Sequence, residues 1–491
     1  MSITNKKKVG VYLNRMPQAG GSYHYIFFIL DALRCQIGKF DIIGFCHVDI
    51  WQETVISQYP DIEAVMLSKD LYNAIETMDS YNCDAIIYPM DGADASSSMM
   101  LKTPVINVIH DIMCFYDKSF ATHRDYDNEY MYQMFCRHSI GVFTDSDLGR
   151  EQIMHVCGHL YQDKIYVLPF RPCKYLEEEE PEEPVALKNE KFFFYPANFG
   201  YHKNHLNLLM AMEQLREEGI RVNFLFTGQG QSGAAKQIKR VIKAFGLDEQ
   251  VDITGGITNP QMKYLYKHAR AMVMPTYDGP TNIPPVESLF MGCPVAVSNL
   301  YAMPWQIGDA GLVFNPDSVE EIVMVLRRLW LDDDLCCELR ERGFQRIKSL
   351  SATSFNKRFA EGLSSMLKWS QKMCTNLNSL YQSCQGRKVY IYGAGQYGRA
   401  AYEFFCHKNV DVVGFVVSDG HRNTEYYLGL PVFLLEDIKP ATASTIIVLA
   451  LNDEHIEEVQ EVLRGSGFDG SMGYVFGHEH AMEWFNYQMN S

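Results

Sequence analysis

Short apolar runs alternate along the chain with longer stretches whose apolar positions recur every three or four residues. The runs KVGVYLN (8–14), IIGFC (42–46), AVML (64–67), AIIYP (85–89) and VINVI (105–109) predict strands. Behind the loop MPQAGGSYHY, the segment IFFILDALRCQIG carries helical periodicity, and 126–140 predicts a second helix. VFTDSDLGREQIMHVCG reads as a strand end, a cap at Ser146 or Asp147, and a helix. Buried strands alternating with helices are the pattern of α/β layers on a parallel sheet.

A second series starts at KFFFYPANF (191–199). It continues through the helix HLNLLMAMEQLREEG, the strand VNFLFTG (222–228), a helix at 233–245, VDITG (251–255), a helix at 259–269 and AMVMPT (271–276). LVF (312–314) and helices at 318–346 and 354–373 complete it. Past a polar patch at 374–386, KVYIYGAGQYGRAAYEFF reads as strand, glycine loop and helix. The strands VVGFVV (412–417), PVF (431–433) and TIIVLA (445–450) follow. Between the first two series lies EEEEPEEP (177–184), too charged and proline-rich to be buried, and so an exposed linker. The expected organisation is an α/β unit at 1–176, a linker at 177–189, a second α/β unit at 190–376 and a third at 377–491. A chain of 491 residues has room for this.

The net charge of −16, from 44 basic and 60 acidic residues, argues against a nucleic-acid partner. No run reaches the ~18 apolar residues of a membrane span. The basic start MSITNKKKVGVYLNRM is followed by too short an apolar stretch for a signal peptide. Thirteen scattered cysteines read as reduced thiols. A cytoplasmic location is expected, with peripheral contact at the inner membrane face left open.

The candidate chemistry centres on YDGPTNIPPVESLFMGCPVAVSN (277–299). Pro284 and Pro285 suit a helix start and would hold the N–H groups of Thr281, Asn282 and Ile283 in one direction. With the positive end of the helix dipole, that makes a seat for a diphosphate. Glu287, in the first turn, offers a carboxylate to two adjacent hydroxyls. A capped helix start with a solvated glutamate fits the same spacing equally well. Gly20 and Gly21 permit close backbone approach to a phosphate or sugar. His110 and Asp111 end an apolar strand, where a pair making only local hydrogen bonds is an equal reading. Asp91 and Asp94 lie in a small-residue loop that reads most simply as a polar turn. Gly393, Gly395 and Gly398 form G-x-G-x-x-G between a strand and a helix.

Most of residues 8–375 resembles the retaining glycosyltransferase family 4, of two-domain GT-B fold. Glu287 with MGCPV is similar to the second half of that family's donor motif. Eight residues earlier, where many members carry a first glutamate, stands Gly279, with Asp278 beside it. GPTNIPP resembles a subgroup of bacterial polysaccharide-assembling members. YPANFGYHKNHLNLLMAM resembles the segment whose lysine, here Lys203, contacts the diphosphate. Asn198 occupies the place of a common arginine, for which Arg171, Lys174 and His202 are candidate substitutes. ITGGITNPQMKYLYKHARAMVMPT resembles the passage that approaches the base, at Gly256 and Ile257. The resemblance puts His110 at the reaction centre against the donor sugar, with Asp111 orienting it. Gly20 and Gly21 would lie near the donor phosphate.

It implies a retaining, metal-independent transfer from a nucleoside diphosphate sugar, UDP- or GDP-linked, to a glycan or lipid-linked saccharide, with no other cofactor. Asp145 and Asp147 match an Asp-x-Asp spacing, but Ser146 between them reads as a helix cap away from the donor motifs. The alternative function is a non-catalytic nucleotide-sugar or glycan-binding subunit of a polysaccharide-assembly complex. The third unit resembles the small nucleotide-binding domain that precedes bacterial sugar acyltransferases, with Asp419 at its second ligand-facing loop. A nucleotide or nucleotide-sugar sensor, an interaction or assembly module, including a homo-oligomer through this unit, and an inert remnant are the readings it allows.

Overall fold

The computed structural model describes residues 6–16, 20–89, 97–110, 112, 128–158, 163–184, 187–228, 233–277, 279, 281–421, 423–438, 445–466, 473–477, 480–481 and 484. Seven parallel strands form the first sheet: β1 (Lys7–Leu13), β2 (Phe40–Cys46), β3 (Glu63–Met66), β4 (Ala85–Tyr88), β5 (Val105–Val108), β6 (Ser139–Thr144) and β7 (Ile165–Val167). Their order is β3-β2-β1-β4-β5-β6-β7. Every residue of β4, β5 and β6 is buried, as in a parallel sheet covered on both faces. Val9 pairs with Ile42 on one side and Ala85 on the other. Beside it Gly10 makes room for Phe45, since a Cβ there would lie 2.6 Å from the ring. The strand order reverses at β1, so the loops after β1 and β4 diverge and open a crevice at the carboxyl edge.

The second sheet contains β8 (Phe193–Pro196), β9 (Phe224–Thr227), β10 (Val251–Gly255), β11 (Ala271–Met274), β12 (Val295–Ser298) and β13 (Gly311–Phe314), in the order β10-β9-β8-β11-β12-β13. It too is parallel, and reverses between β8 and β11. The third sheet contains β14 (Lys388–Tyr392), β15 (Val412–Val417), β16 (Tyr426–Tyr427), β17 (Leu430–Leu434), β18 (Thr445–Leu449) and β19 (Gly473–Val475), in the order β16-β17-β15-β14-β18-β19. Among the described residues only its edge pair β16–β17 is antiparallel.

Several local expectations shift. Ser146 caps its helix by accepting from the Gly149 N–H at 3.0 Å, and Asp147 is the first helical residue. The helix expected over 126–140 spans Asn128–His138 among the described residues, and β6 begins at once with Ser139. The single helix expected at 318–346 is two, Val319–Leu331 and Asp333–Arg346. Asp332 breaks them because its carboxylate caps the second, accepting from the Leu335 N–H at 2.8 Å.

The acidic stretch 177–184 is not a loose tether. The Glu179 carbonyl accepts from Lys263 Nζ at 2.6 Å, and the Glu182 N–H donates to the Pro260 carbonyl at 3.1 Å. Its main chain thus runs fixed along the Asn259–His268 helix while most of its side chains face water.

The polar patch 374–386 lies largely inside a helix of 33 residues, Ala352–Cys384. That helix packs on the first sheet, whereas the sequence grouped its first part with the second unit. Phe359 stacks on Phe143 at 5.5 Å, and Phe355 sits 5.7 Å from Phe28. Met366 fills the space over Gly141, where a Cβ would lie 2.4 Å from its Cγ. Among the described residues no helix is long and apolar enough to cross a membrane.

Because Phe359 is fully buried where the long helix meets β6, Phe359→Ala should destabilise by about 3–5 kcal/mol. A lowered midpoint of thermal unfolding, with the first unit's amides losing hydrogen-exchange protection, is the expected result. A change confined to the second unit would contradict this packing.

Candidate active site

The carboxyl edges of the first two sheets face each other across a cavity of about 840 Å³. From the first sheet come the turn at Gly20 and Gly21, His110 after β5 and Asp145 after β6. From the second come Asn198, His202 and Lys203 after β8, Gly256 after β10, and Gly279, Thr281, Asn282, Ile283 and Glu287 after β11. Asp111 and Asp278 lie outside the described residues, as do Asp91 and Asp94.

The helix Ile283–Phe290 starts with Pro284 and Pro285 in its first turn, and Asn282 is its extended N-cap. Three free amides were expected here, but one is occupied. The Asn282 N–H donates to Gln306 Oε1 at 3.1 Å, and Gln306 Nε2 donates back to the Asn282 carbonyl at 2.7 Å. Gln306 therefore fixes the helix mouth and removes Asn282 as an amide donor. Thr281 gains importance instead: its Oγ1 is buried in the cavity wall and meets no protein partner among the described residues. A buried hydroxyl lining a cavity can donate to, or accept from, a ligand there. Across the gap, a Cβ on Gly21 would stand 3.6 Å from Ile283 Cδ1. Any larger residue at 21 would narrow the cleft at its waist.

Glu287 is buried, not solvated. Its carboxylate accepts from Tyr266 Oη at 3.0 Å and also from Cys173 and Tyr175. Tyr266 belongs to the Asn259–His268 helix, while Cys173 and Tyr175 lie on the segment leaving the first sheet. Burial pushes the Glu287 carboxyl up, and these donors only partly offset it. The group was expected to be open to two ligand hydroxyls. A carboxylate has about four acceptor positions, and most here are already taken by the protein.

The loop Asn198–Lys203 is held by its own backbone. The His202 carbonyl accepts from the Tyr277 N–H at 2.8 Å and from Thr276 Oγ1 at 3.1 Å. The Lys203 carbonyl accepts from Tyr195 Oη at 2.8 Å. Next in sequence, Asn204 adopts φ 53°, and its Nδ2 donates to the carbonyls of Pro275 at 3.1 Å and Pro316 at 2.9 Å. Lys203 therefore enters the cavity from a fixed base.

Of the three cations considered as substitutes for an arginine at 198, only His202 lines the cavity. Arg171 is buried, ion-paired with Asp31 at 2.5 Å and stacked 4.5 Å over Phe28. Lys174 is exposed and pairs with Glu178 at 2.8 Å.

His110 stands edge-on to Tyr25 at 4.5 Å and tilted to Phe170 at 5.4 Å, so aromatic rings set its plane. Asp145 is buried and lines the same cavity, although the sequence placed its segment away from the donor motifs. Asp147 turns outward toward Arg150 at 3.5 Å, so the Asp-x-Asp spacing does not converge.

Sequence reasoning missed His24, which lines the cavity from the first turn of the Gly21–Arg34 helix. Burial lowers it to about 4, so it is a neutral imidazole near neutral pH. Its place in AGGSYH, on the helix entering the cleft, was the available signal. Tyr266 gave none, because a tyrosine in an apolar helical pattern reads as core.

Gly393, Gly395, Gly398 and Asp419 are absent from this cavity and cluster at the third sheet. The glycine loop follows β14, which lies between β15 and β18 where that sheet's order reverses, and Asp419 follows β15. A Cβ on Gly398 would lie 1.9 Å from the Gly393 carbonyl, so helix and strand approach as closely as the fingerprint requires. A Cβ on Gly395 would meet nothing within 4 Å. Asp419 is exposed, its carboxylate accepting from the Gly420 N–H at 2.9 Å.

Comparison with solved structures identifies the arrangement of the first two sheets. A sucrose-phosphate synthase from Thermosynechococcus elongatus superposes with a TM-score of 0.60 at 15% identity, over 74% of this chain and all of that one. The Anabaena protein HepE, solved in complex with UDP and glucose, gives 0.60 at 14% identity over 73% of this chain and all of its own. The fold is GT-B.

Residues 177–346, the linker and most of the second GT-B domain, match the family described as Glycosyl transferases group 1. O-antigen chain mannosyltransferase B of Escherichia coli is 26% identical over 217 residues, 43% of this chain and 56% of that protein. The serotype-specific mannosyltransferase WbdA of Escherichia coli is 26% identical over 138 residues, 28% of this chain and 17% of that protein. The chain thus spans about half, or less, of the length of these relatives.

Glu287 in this GT-B cleft yields a pH-dependent prediction. Its raised value means that its contribution to stability is full below the ordinary 4.5 and is lost as pH rises through the folded value. Above that value the carboxylate is ionised and depends on its donors. Tyr266→Phe should therefore cost about 1.5–3 kcal/mol on the alkaline side of that value and less below 4.5. Thermal unfolding across pH checks this; an equal loss at both ends would mean that Tyr266 does not serve the charge.

Proposed function

We propose that the protein transfers a sugar from a nucleoside diphosphate sugar to a hydroxyl of a glycan or lipid-linked saccharide, with retention at the anomeric carbon and without a metal ion. The observation that carries this reading is the cavity itself. A GT-B cleft large enough for a nucleotide sugar is lined on one wall by Gly20, Gly21 and His110, and on the other by Lys203, Thr281 and the amide-rich mouth of the Glu287 helix. The group 1 match and the curated mannosyltransferase relatives support the reaction class.

In this reading the diphosphate lies against Lys203, the buried Thr281 hydroxyl and the helix N-terminus. These groups place fixed positive potential where the leaving group gains charge. His202 adds a donor when protonated. Gly256 and Ile257 flank the base. His110 faces the sugar, with Asp145 and the neutral His24 completing that wall. The bond from the anomeric carbon to the diphosphate oxygen breaks, and the acceptor oxygen bonds on the same face. The acceptor proton passes to a phosphate oxygen. Glu287 mainly positions: its remaining acceptor capacity can take a ligand hydroxyl, while its other bonds keep the helix mouth aligned with the first domain.

The relatives' names favour a mannosyl donor, and the UDP-bound neighbour keeps a UDP-sugar in view. The third sheet's glycine loop, with Asp419, is proposed as a separate nucleotide or nucleotide-sugar site, in a sensing or assembly role.

The test is a thermal-shift screen of UDP-, GDP-, ADP- and dTDP-sugars, followed by a transfer assay with the donor that binds. One donor should stabilise the parent by mass action, about 2.7 kcal/mol at about a hundred times Kd, and should lose most of this effect in Lys203→Ala and Thr281→Val. Undiminished stabilisation in both variants would remove the donor site from this cavity. Binding without donor hydrolysis or transfer would instead indicate a non-catalytic subunit. Gly395→Asp should leave the transfer reaction intact while abolishing any second nucleotide response.

A further inference from the structure

The outer face of the second domain carries a feature that the donor site does not use. The helix Gly233–Ala244 contains Lys236, Lys239, Arg240 and Lys243 and no acidic residue, in a chain of net charge −16. Ala235, Ile238 and Ile242 bury its inner face, and the four cations are exposed. None of the four has an ion-pair partner among the described residues.

Beside it lies the helix His205–Glu217. Arg216 of that helix donates to the carbonyls of Phe245 at 2.5 Å and Gly246 at 3.1 Å, so the carboxyl ends of the two helices meet. At their amino ends both line one small pocket of about 220 Å³, together with Tyr201. The two helices therefore lie side by side and present a common outward face. On it Tyr201 is 71% exposed, Leu206 38% and Met210 41%. The acids of this neighbouring helix, Glu213 and Glu217, lie toward its far end, beyond Met210. A row of exposed cations next to exposed aromatic and aliphatic side chains is the composition that binds a bilayer surface. The charges meet anionic headgroups and the apolar groups enter the boundary beneath. A nucleic-acid backbone or a soluble polyanion would use the cations but not the apolar row.

We propose that this two-helix face docks the protein on an anionic phospholipid surface. The loop that carries Tyr201 also carries Asn198, His202 and Lys203 on its cavity side, so docking would set the cleft beside the membrane. The proposal concerns a surface outside the donor cavity, and its test needs no sugar transfer.

The full chain is sedimented with vesicles of phosphatidylcholine alone and of phosphatidylcholine mixed with phosphatidylglycerol. It should pellet with the mixed vesicles only, less so as salt is added. Lys236→Glu, Lys239→Glu and Lys243→Glu combined should weaken binding more than about tenfold. Lys69→Glu, Lys102→Glu and Lys388→Glu combined, exposed lysines elsewhere with the same change of net charge, should bind like the parent. Tyr201→Ala should weaken binding without changing its salt dependence. Circular dichroism of each variant confirms that it is folded. Parent-like binding by the helix variant, equal losses in the two triple variants, or equal behaviour of the parent with both vesicle types would overturn the proposal. So would retention on a soluble polyanion without vesicle binding.

Discussion

A buried carboxylate must be supplied with donors, and the supply for Glu287 spans the junction of two domains. Tyr266 brings one hydroxyl from the second domain, while Cys173 and Tyr175 come from the segment that has just left the first. An ionised group withdrawn from water without such partners would cost several kcal/mol. The crossing segment, the Asn259–His268 helix and the proline-led helix therefore cannot move independently without exposing or stranding that carboxyl group. The acidic stretch beyond the crossing extends the arrangement, since its backbone is tied to the same helix through Lys263 and Pro260.

The cleft inherits its geometry from this junction. The helix mouth sits opposite the glycine turn of the first sheet, close enough that a single Cβ on Gly21 would touch Ile283. Gln306 occupies one amide of that mouth, so fewer of its N–H groups face the cavity than at a bare helix terminus. The long helix Ala352–Cys384 closes the arrangement from the other side by returning to the first sheet through Phe355 and Phe359. The two domains are thus joined by two passages of chain, and the cavity lies between them. The third sheet repeats the same logic of a glycine loop at a reversal of strand order, at a separate place.

The strands and most helices could be read from the chain because their signals are local. An apolar run such as VINV can be buried on both faces only inside a covered sheet, and GPTNIPP can start a helix in few ways. The loops carrying Gly20, His110, Lys203, Gly256 and Thr281 follow directly from those strands, and a parallel sheet delivers all of them to one edge. What the sequence determined by itself was therefore the succession of elements and the edge on which their chemistry would gather. Only the tertiary structure decided that Glu287 is buried, that Arg171 is spent on Asp31, that His24 and Asp145 enter the cleft, and that the long helix belongs against the first sheet. Each of these depends on the distance between residues far apart in the chain. Burial and pairing set the state of a charge, and neither is encoded in the spacing of its neighbours along the sequence.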